Sequence, residues 1–148
     1  MKHFIIFAFG GISYGLIELL FRHVTHWTMV LAGGICFLII GFIGNRLKMP
    51  FIFKAVCCAV CISAVEFIFG LIFNVLFQQN IWDYSHLPLN LLGQICLLFS
   101  VLWIFLSLFA LKMNMILYDN LSKKTSVMQK RNSQKQNFDS QATKAREA

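Results

Sequence analysis

The chain has 148 residues and a net charge of +7, with 58% hydrophobic and only 13% charged side chains. Soluble domains carry about 25% charged residues, so this composition excludes an ordinary soluble enzyme, a disordered chain, and a DNA-binding domain whose basic face accounts for its charge. With 16 Phe and 2 Pro, the sequence describes a molecule whose solvent is largely lipid.

Four apolar stretches follow one another: Phe4–Phe21, Trp27–Gly44, Ala55–Phe77 and Leu89–Leu111. As helices they measure about 27 to 35 Å at 1.5 Å per residue, matching a hydrocarbon core of about 30 Å. Helices also satisfy the demand that every backbone N–H and C=O be bonded inside lipid. The expected fold is therefore an all-α polytopic membrane protein with four transmembrane helices in two hairpins. The connectors are Arg22–His26, Asn45–Lys54 and Gln78–Pro88. A soluble bundle would need more polar surface than remains. A cleaved signal peptide at the start fits Lys2 but not Glu18.

Residues 1–118 form the expected transmembrane domain. Residues 119–148 form a basic tail, with seven basic against three acidic residues supplying +4 of the charge. The tail is expected to be cytoplasmic and mostly disordered beyond a helical continuation to about Met128. Lys123, Lys124, Lys130 and Arg131 suit contact with anionic lipid; nucleic acid is not an expected partner. Lys2, Arg46, Lys48, Lys54 and Lys112 fall on one side. The positive-inside rule then places both termini in the cytoplasm of a multi-pass cell-membrane protein.

The halves share a pattern. Glu18-Leu19-Leu20-Phe21 matches Glu66-Phe67-Ile68-Phe69, and Gly33–Leu38 matches Gly93–Leu98. Either a parallel tandem repeat or chance among apolar residues accounts for it. Gly11 and Gly15 permit close helix approach, within the chain or in a homo-oligomer.

An ionisable residue inside a membrane span is by default a functional candidate. Glu18 has Arg22 at i+4, a favourable helical ion pair, which reads equally as an interface anchor. Glu66 lies near the middle of its span, with Gly70 and Asn74 on the same face. Asn90 and Gln94 stand at the start of the fourth span. Glu18, Arg22, Glu66, Asn74, Asn90 and Gln94 are therefore the expected members of an outward-facing polar recess; interhelical hydrogen bonding for packing is the alternative.

His23, His26, His86 and Asp83 could approach a zinc ligand set, but their spacing favours interfacial hydrogen bonds, and no metal is expected. Cys58 and Cys61 form a CxxC without a second pair, which favours packing over zinc or redox chemistry. Trp27, Trp82 and Tyr84 fit an interfacial aromatic belt.

The run Trp82-Asp83-Tyr84-Ser85-His86-Leu87-Pro88-Leu89-Asn90-Leu91-Leu92-Gly93-Gln94-Ile95-Cys96 resembles the signature of a bacterial family labelled ABC-transporter permease, the ABC-transporter type IV or CmpB-like membrane proteins. That signature reads approximately WDYS-x-x-P-x-N-x-x-G-x-I-C, with a Ser and a Trp following, where Ser100 and Trp103 stand here. Tyr14–Arg22 and Thr25–Trp27 look like the family's Glu-containing first helix and loop. The resemblance covers about residues 10–108, and Trp82, Asp83, Tyr84, Ser85 and Pro88 form its distinctive loop. It implies transport. The chain has no GxxxxGK[ST] phosphate loop, so ATP-driven transport implies a separate ATPase subunit.

The expected function is a permease-like or transport-accessory membrane component with a recess around Glu66. The alternative is a non-transporting regulatory or structural partner that docks another protein through the WDYS loop. Neither reading calls for a cofactor; a third, an intramembrane enzyme using Glu18 or Glu66 as acid or base, needs a second tuned group and has no nucleophile elbow or metal motif behind it, so catalysis is not expected.

Overall fold

The structure, a computed structural model, describes the backbone of residues 2–147 and, except at 21, 135 and 137–147, their side chains. Four helices order the chain: α1 (Lys2–Arg22), α2 (Trp27–Arg46), α3 (Phe51–Phe69) and α4 (Leu97–Glu147). α3 continues into a π-helical segment, Gly70–Leu76. Each of the four is long and apolar enough to cross a membrane. Phe4, Leu16, Phe42, Val60, Ile68, Phe105 and Phe109, all more than half exposed, supply an apolar exterior. An apolar surface of that extent is stable where the solvent is lipid. The protein is an all-α polytopic membrane protein.

The helix ends follow from local chemistry. His23 takes a left-handed conformation (φ 58°), and its N–H donates to the Leu19 carbonyl, closing α1. The His26 side chain accepts from the Thr28 N–H and caps α2. At the far end of α2 the Lys54 ammonium donates to the Gly44 carbonyl at 2.7 Å, satisfying an end carbonyl where the helix dipole favours a cation. Pro50, whose ring fixes φ, precedes the first turn of α3.

α1 packs most extensively on α2, and α3 on α4; α2 also touches α3 and α4, while α1 touches α4 only sparsely. Small residues set the α1–α2 distance. Gly10 faces Phe37, Gly11 and Gly15 face Val30, Gly33 faces Tyr14 and Gly34 faces Phe7, each too close for a Cβ without displacement. The Gly11–Gly15 pair thus serves packing within the chain. The core lies among the helices at the Lys54 end and includes Phe37, Ile40, Ala55, Cys58, Ile62 and Leu111. Cys58 is fully buried there, and the cysteines are free.

Three differences from the sequence reading stand out. α4 begins at Leu97 instead of Leu89. Asn90, Gly93 and Gln94 belong to a short antiparallel hairpin, β1 (Asn90–Leu91) and β2 (Ile95–Cys96), with Asn90 opposite Cys96. The proposed match of Gly33 with Gly93 therefore fails as a structural equivalence. Gly33 is helical, whereas Gly93 has φ +68° in the hairpin turn, a conformation that favours glycine. Third, the tail expected to be mostly disordered continues α4 to Glu147, so residue 118 marks a change of composition and no break in secondary structure. At about 77 Å, α4 far exceeds a bilayer core. Lys2 lies beside it, with Nζ 3.4 Å from Ser122 Oγ and 5.9 Å from the Tyr118 ring. The tail side chains Lys135, Asp139, Lys144, Arg146 and Glu147 lie outside the described residues.

Candidate functional site

The end of the bundle opposite Lys54 holds two different polar assemblies. The first is the loop from Phe77 to Cys96. Asn74, on the π-helical segment, faces inward and gathers three partners. Its Nδ2 donates to the Trp82 carbonyl and to Gln94 Oε1, both at 2.9 Å, and its Oδ1 accepts the Ile81 N–H at 2.7 Å. Gln94 in turn donates to the Leu92 carbonyl, and the Trp82 indole donates to the Gln94 carbonyl. Gly70 leaves the room that Gln94 fills. The wider π turn, in which the Phe77 N–H reaches the Ile72 carbonyl, coincides with this junction.

The rest of the loop closes on itself. Asp83 accepts from the Ser85 N–H at 2.8 Å and the Ser85 hydroxyl at 2.9 Å. These bonds, with the nearby His86, hold its carboxyl below the usual range. Asn90 donates to the Ser85 and Leu87 carbonyls and accepts the Gly93 N–H. Tyr84 N–H donates to the Gly93 carbonyl. A Cβ at Gly93 would stand 2.8 Å from Asp83 Oδ1. Pro88 lies in the exposed turn before Leu89. This distinctive loop is thus a self-satisfied clasp: its polar side chains replace the backbone partners that an irregular segment lacks.

The second assembly surrounds a cavity of about 860 Å³ between the sparsely touching α1 and α4 and the loop. Glu18 and Arg22 are on its wall, as are Tyr14, Trp82, Asp83, Tyr84 and His86. Below them the wall is apolar, with Ile17, Leu98, Leu102, Leu106 and Phe109. Glu18 is buried. Its Oε1 accepts from Arg22 Nη1 at 2.7 Å and its Oε2 from the Thr25 hydroxyl at 3.0 Å, while Arg22 Nη2 donates to the Ile81 carbonyl at 2.6 Å. Arg22 thereby ties α1 to the loop. Tyr84 stacks on Phe99 with ring centroids 4.8 Å apart. Burial, reinforced by the charges of Glu66 and Glu18, pushes its phenol upward against the opposing effect of Arg22, so it is a neutral hydroxyl at physiological pH.

Glu66 is 6% exposed, and its Oε2 accepts from the Trp103 indole N–H at 2.7 Å. It is not on the wall; Trp103 is, stacked on Tyr14 at 5.9 Å. Beneath that pair is a second cavity of about 140 Å³. It shares Tyr14, Ile17, Trp103, Leu106 and Phe109 with the first, and Ser13 and Ser107 also line it.

Of the six expected recess residues, the structure places Glu18 and Arg22 on the cavity wall and Glu66 one side chain behind it. Asn74, Asn90 and Gln94 are engaged in the loop instead. Their relocation follows from α4 starting at Leu97: the non-helical 90–96 stretch has backbone groups that Asn90 and Gln94 help to satisfy, at the Gly93 N–H and the Leu92 carbonyl. The sequence reading did not single out Ser107 or Asn114, both 1% exposed on α4. Neither did it pair Trp103 with Glu66, 37 residues away. The only advance sign was Trp103 as part of a motif. Among the described residues no three His, Cys, Asp or Glu side chains converge to hold a metal ion.

No curated protein and no solved structure matched the chain. Residues 3–133 match the family model described as "Putative ABC-transporter type IV". With four membrane-crossing helices, this loop and that match over most of its length, the chain belongs to the CmpB-like ABC-transporter type IV family.

Proposed function

We propose that the protein is a permease-like or transport-accessory component that receives a solute in the cavity between α1, α4 and the loop. The supporting observation is a recess of ligand size with one polar and one apolar end, bordered by Glu18 and Arg22 and backed by Glu66. Membership of a transporter family supports the same reading. Both termini face the cytoplasm of the cell membrane, because Lys2, Arg46, Lys48, Lys54 and, on α4, Lys112, Lys123, Lys124, Lys130 and Arg131 lie at the end opposite the recess. The recess then opens outward. The chain is not itself an enzyme, and any ATP-driven step belongs to a separate subunit. That subunit engages the cytoplasmic end, where α4 extends beyond the bilayer while the 47–50 connector is too short to reach out.

The test is solute profiling by mass spectrometry of cells carrying the intact gene, a deletion, or Glu66→Gln. Solutes whose distribution changes on deletion should change in the same direction in the variant, with the protein still inserted. Identical profiles in deletion and intact cells would refute transport.

A second reading, a partner-docking role for the loop, draws on Leu89, Leu91 and Leu92, all exposed and adjacent, with Leu89 and Leu92 in left-handed backbone. Photo-crosslinking from position 91 in intact cells tests it. A single protein adduct supports docking, and lipid adducts alone oppose it.

A further inference from the structure

The chemistry of the cavity wall narrows what the recess can take, and this step rests on the transport reading above. The two cavities, of about 860 and 140 Å³, adjoin at five shared wall residues, the Tyr14–Trp103 pair among them, and together make a slot-like region. Its lower part is apolar apart from Ser13 and Ser107. The Ser107 hydroxyl is 1% exposed and has no hydrogen-bond partner, which leaves one polar contact open in the inner slot.

The charged groups are unevenly compensated. The wall carries Glu18, Asp83, Arg22 and His86, a formal excess of one negative charge with His86 neutral. Arg22 is occupied by Glu18 and the Ile81 carbonyl. Glu66 stands directly behind Trp103, and among the described residues the Glu18–Arg22 pair is the only salt bridge. A carboxylate in that position needs a cation or a proton, since an isolated buried charge is costly. Its hydrogen bond with the Trp103 indole also drives electron density into the ring. That strengthens the attraction of the ring for a cation. Tyr14, Tyr84 and Phe99 place further aromatic rings on the same wall.

We infer that the slot binds a hydrophobic organic cation, with its charge held among Trp103, Tyr14 and Tyr84 by the carboxylates of Glu18 and Glu66, and its apolar body lying along Leu102, Leu106 and Phe109. An anion of the same size meets the net negative charge of the wall and of Glu66 behind it. A neutral apolar molecule gains the walls but nothing from the carboxylates.

The experiment uses the full chain in nanodiscs of zwitterionic phosphatidylcholine. Tetraphenylphosphonium and tetraphenylborate, nearly equal in size and opposite in charge, are compared by equilibrium dialysis. The phosphonium should bind saturably and at least about tenfold more tightly than the borate. Leu102→Trp, which puts an indole on the wall along which the apolar body lies, should weaken saturable binding. Glu66→Gln keeps an acceptor for the indole and should weaken phosphonium binding about tenfold. Size-exclusion profiles check folding of both variants; if Glu66→Gln does not fold, the comparison of the two ions on the unaltered protein decides. Equal affinity for both ions, or binding indifferent to Leu102→Trp, overturns the inference. Glu66-dependent redistribution of solutes that are all neutral or anionic would overturn the cation while leaving transport standing.

Discussion

The loop and the cavity adjoin, yet they use polar residues in opposite ways. In the loop, Asn74, Asp83, Asn90 and Gln94 bond to nearby backbone or to one another. Around the cavity, Glu66 behind Trp103 has one donor, the Ser107 hydroxyl has none, and most of the wall is apolar. The most distinctive stretch of sequence therefore mainly builds structure, while lending Trp82, Asp83 and Tyr84 to the cavity wall; the rest of that wall comes from α1 and α4. A distinctive motif marks where a chain's conformation is hardest to satisfy, and here that place is the lid above the site.

The contrast can be broken most severely at Asn74. Asn74→Leu removes three bonds and leaves the Ile81 N–H, the Trp82 carbonyl and Gln94 Oε1 without a partner. About 3 kcal/mol of stability should be lost, read as a large fall in Tm in detergent. A loss under about 0.5 kcal/mol would mean that the loop does not depend on this clasp.

Trp103→Phe tests the other region. It strips the sole described donor from Glu66 and should cost about 2 kcal/mol. Combined with Glu66→Leu, which removes the stranded carboxyl, part of that loss should return. Strict additivity of the two changes would show that the bond carries no energy of its own.

The smallest effect is a pH dependence at Asp83. Its folded carboxyl is held low by Ser85, so the stabilisation is present above the ordinary carboxylate range and is lost as pH falls through the lowered value. Because Asp83 is exposed, the decline in Tm on acidification should be slight. Asp83→Asn should flatten it; an unchanged slope would place the acid sensitivity elsewhere.

Much was legible before any coordinates. Four spans follow from runs of 18 to 23 apolar residues, because lipid leaves a backbone few alternatives to a helix. The Glu18–Arg22 pair follows from i,i+4 spacing, and a close helix approach from the spacing of Gly11 and Gly15, though not which helix approaches. What remained hidden depends on partners far apart in the chain. The apolar pattern continues from Leu89 into α4, so hydropathy places Asn90 and Gln94 in a span. Only the packing of Gly70 and Asn74 against 90–96 turns that stretch into a hairpin.

By itself, then, the sequence determined the solvent, the number of crossings and one local ion pair, since each depends on composition or on neighbours within a helical turn. Tertiary structure alone decided that Trp103 meets Glu66 and that sparse contact between α1 and α4 leaves a cavity. It also turned the motif amides toward the loop. These depend on how helices distant in sequence approach one another, and a nearly uniform apolar sequence carries little information about that approach.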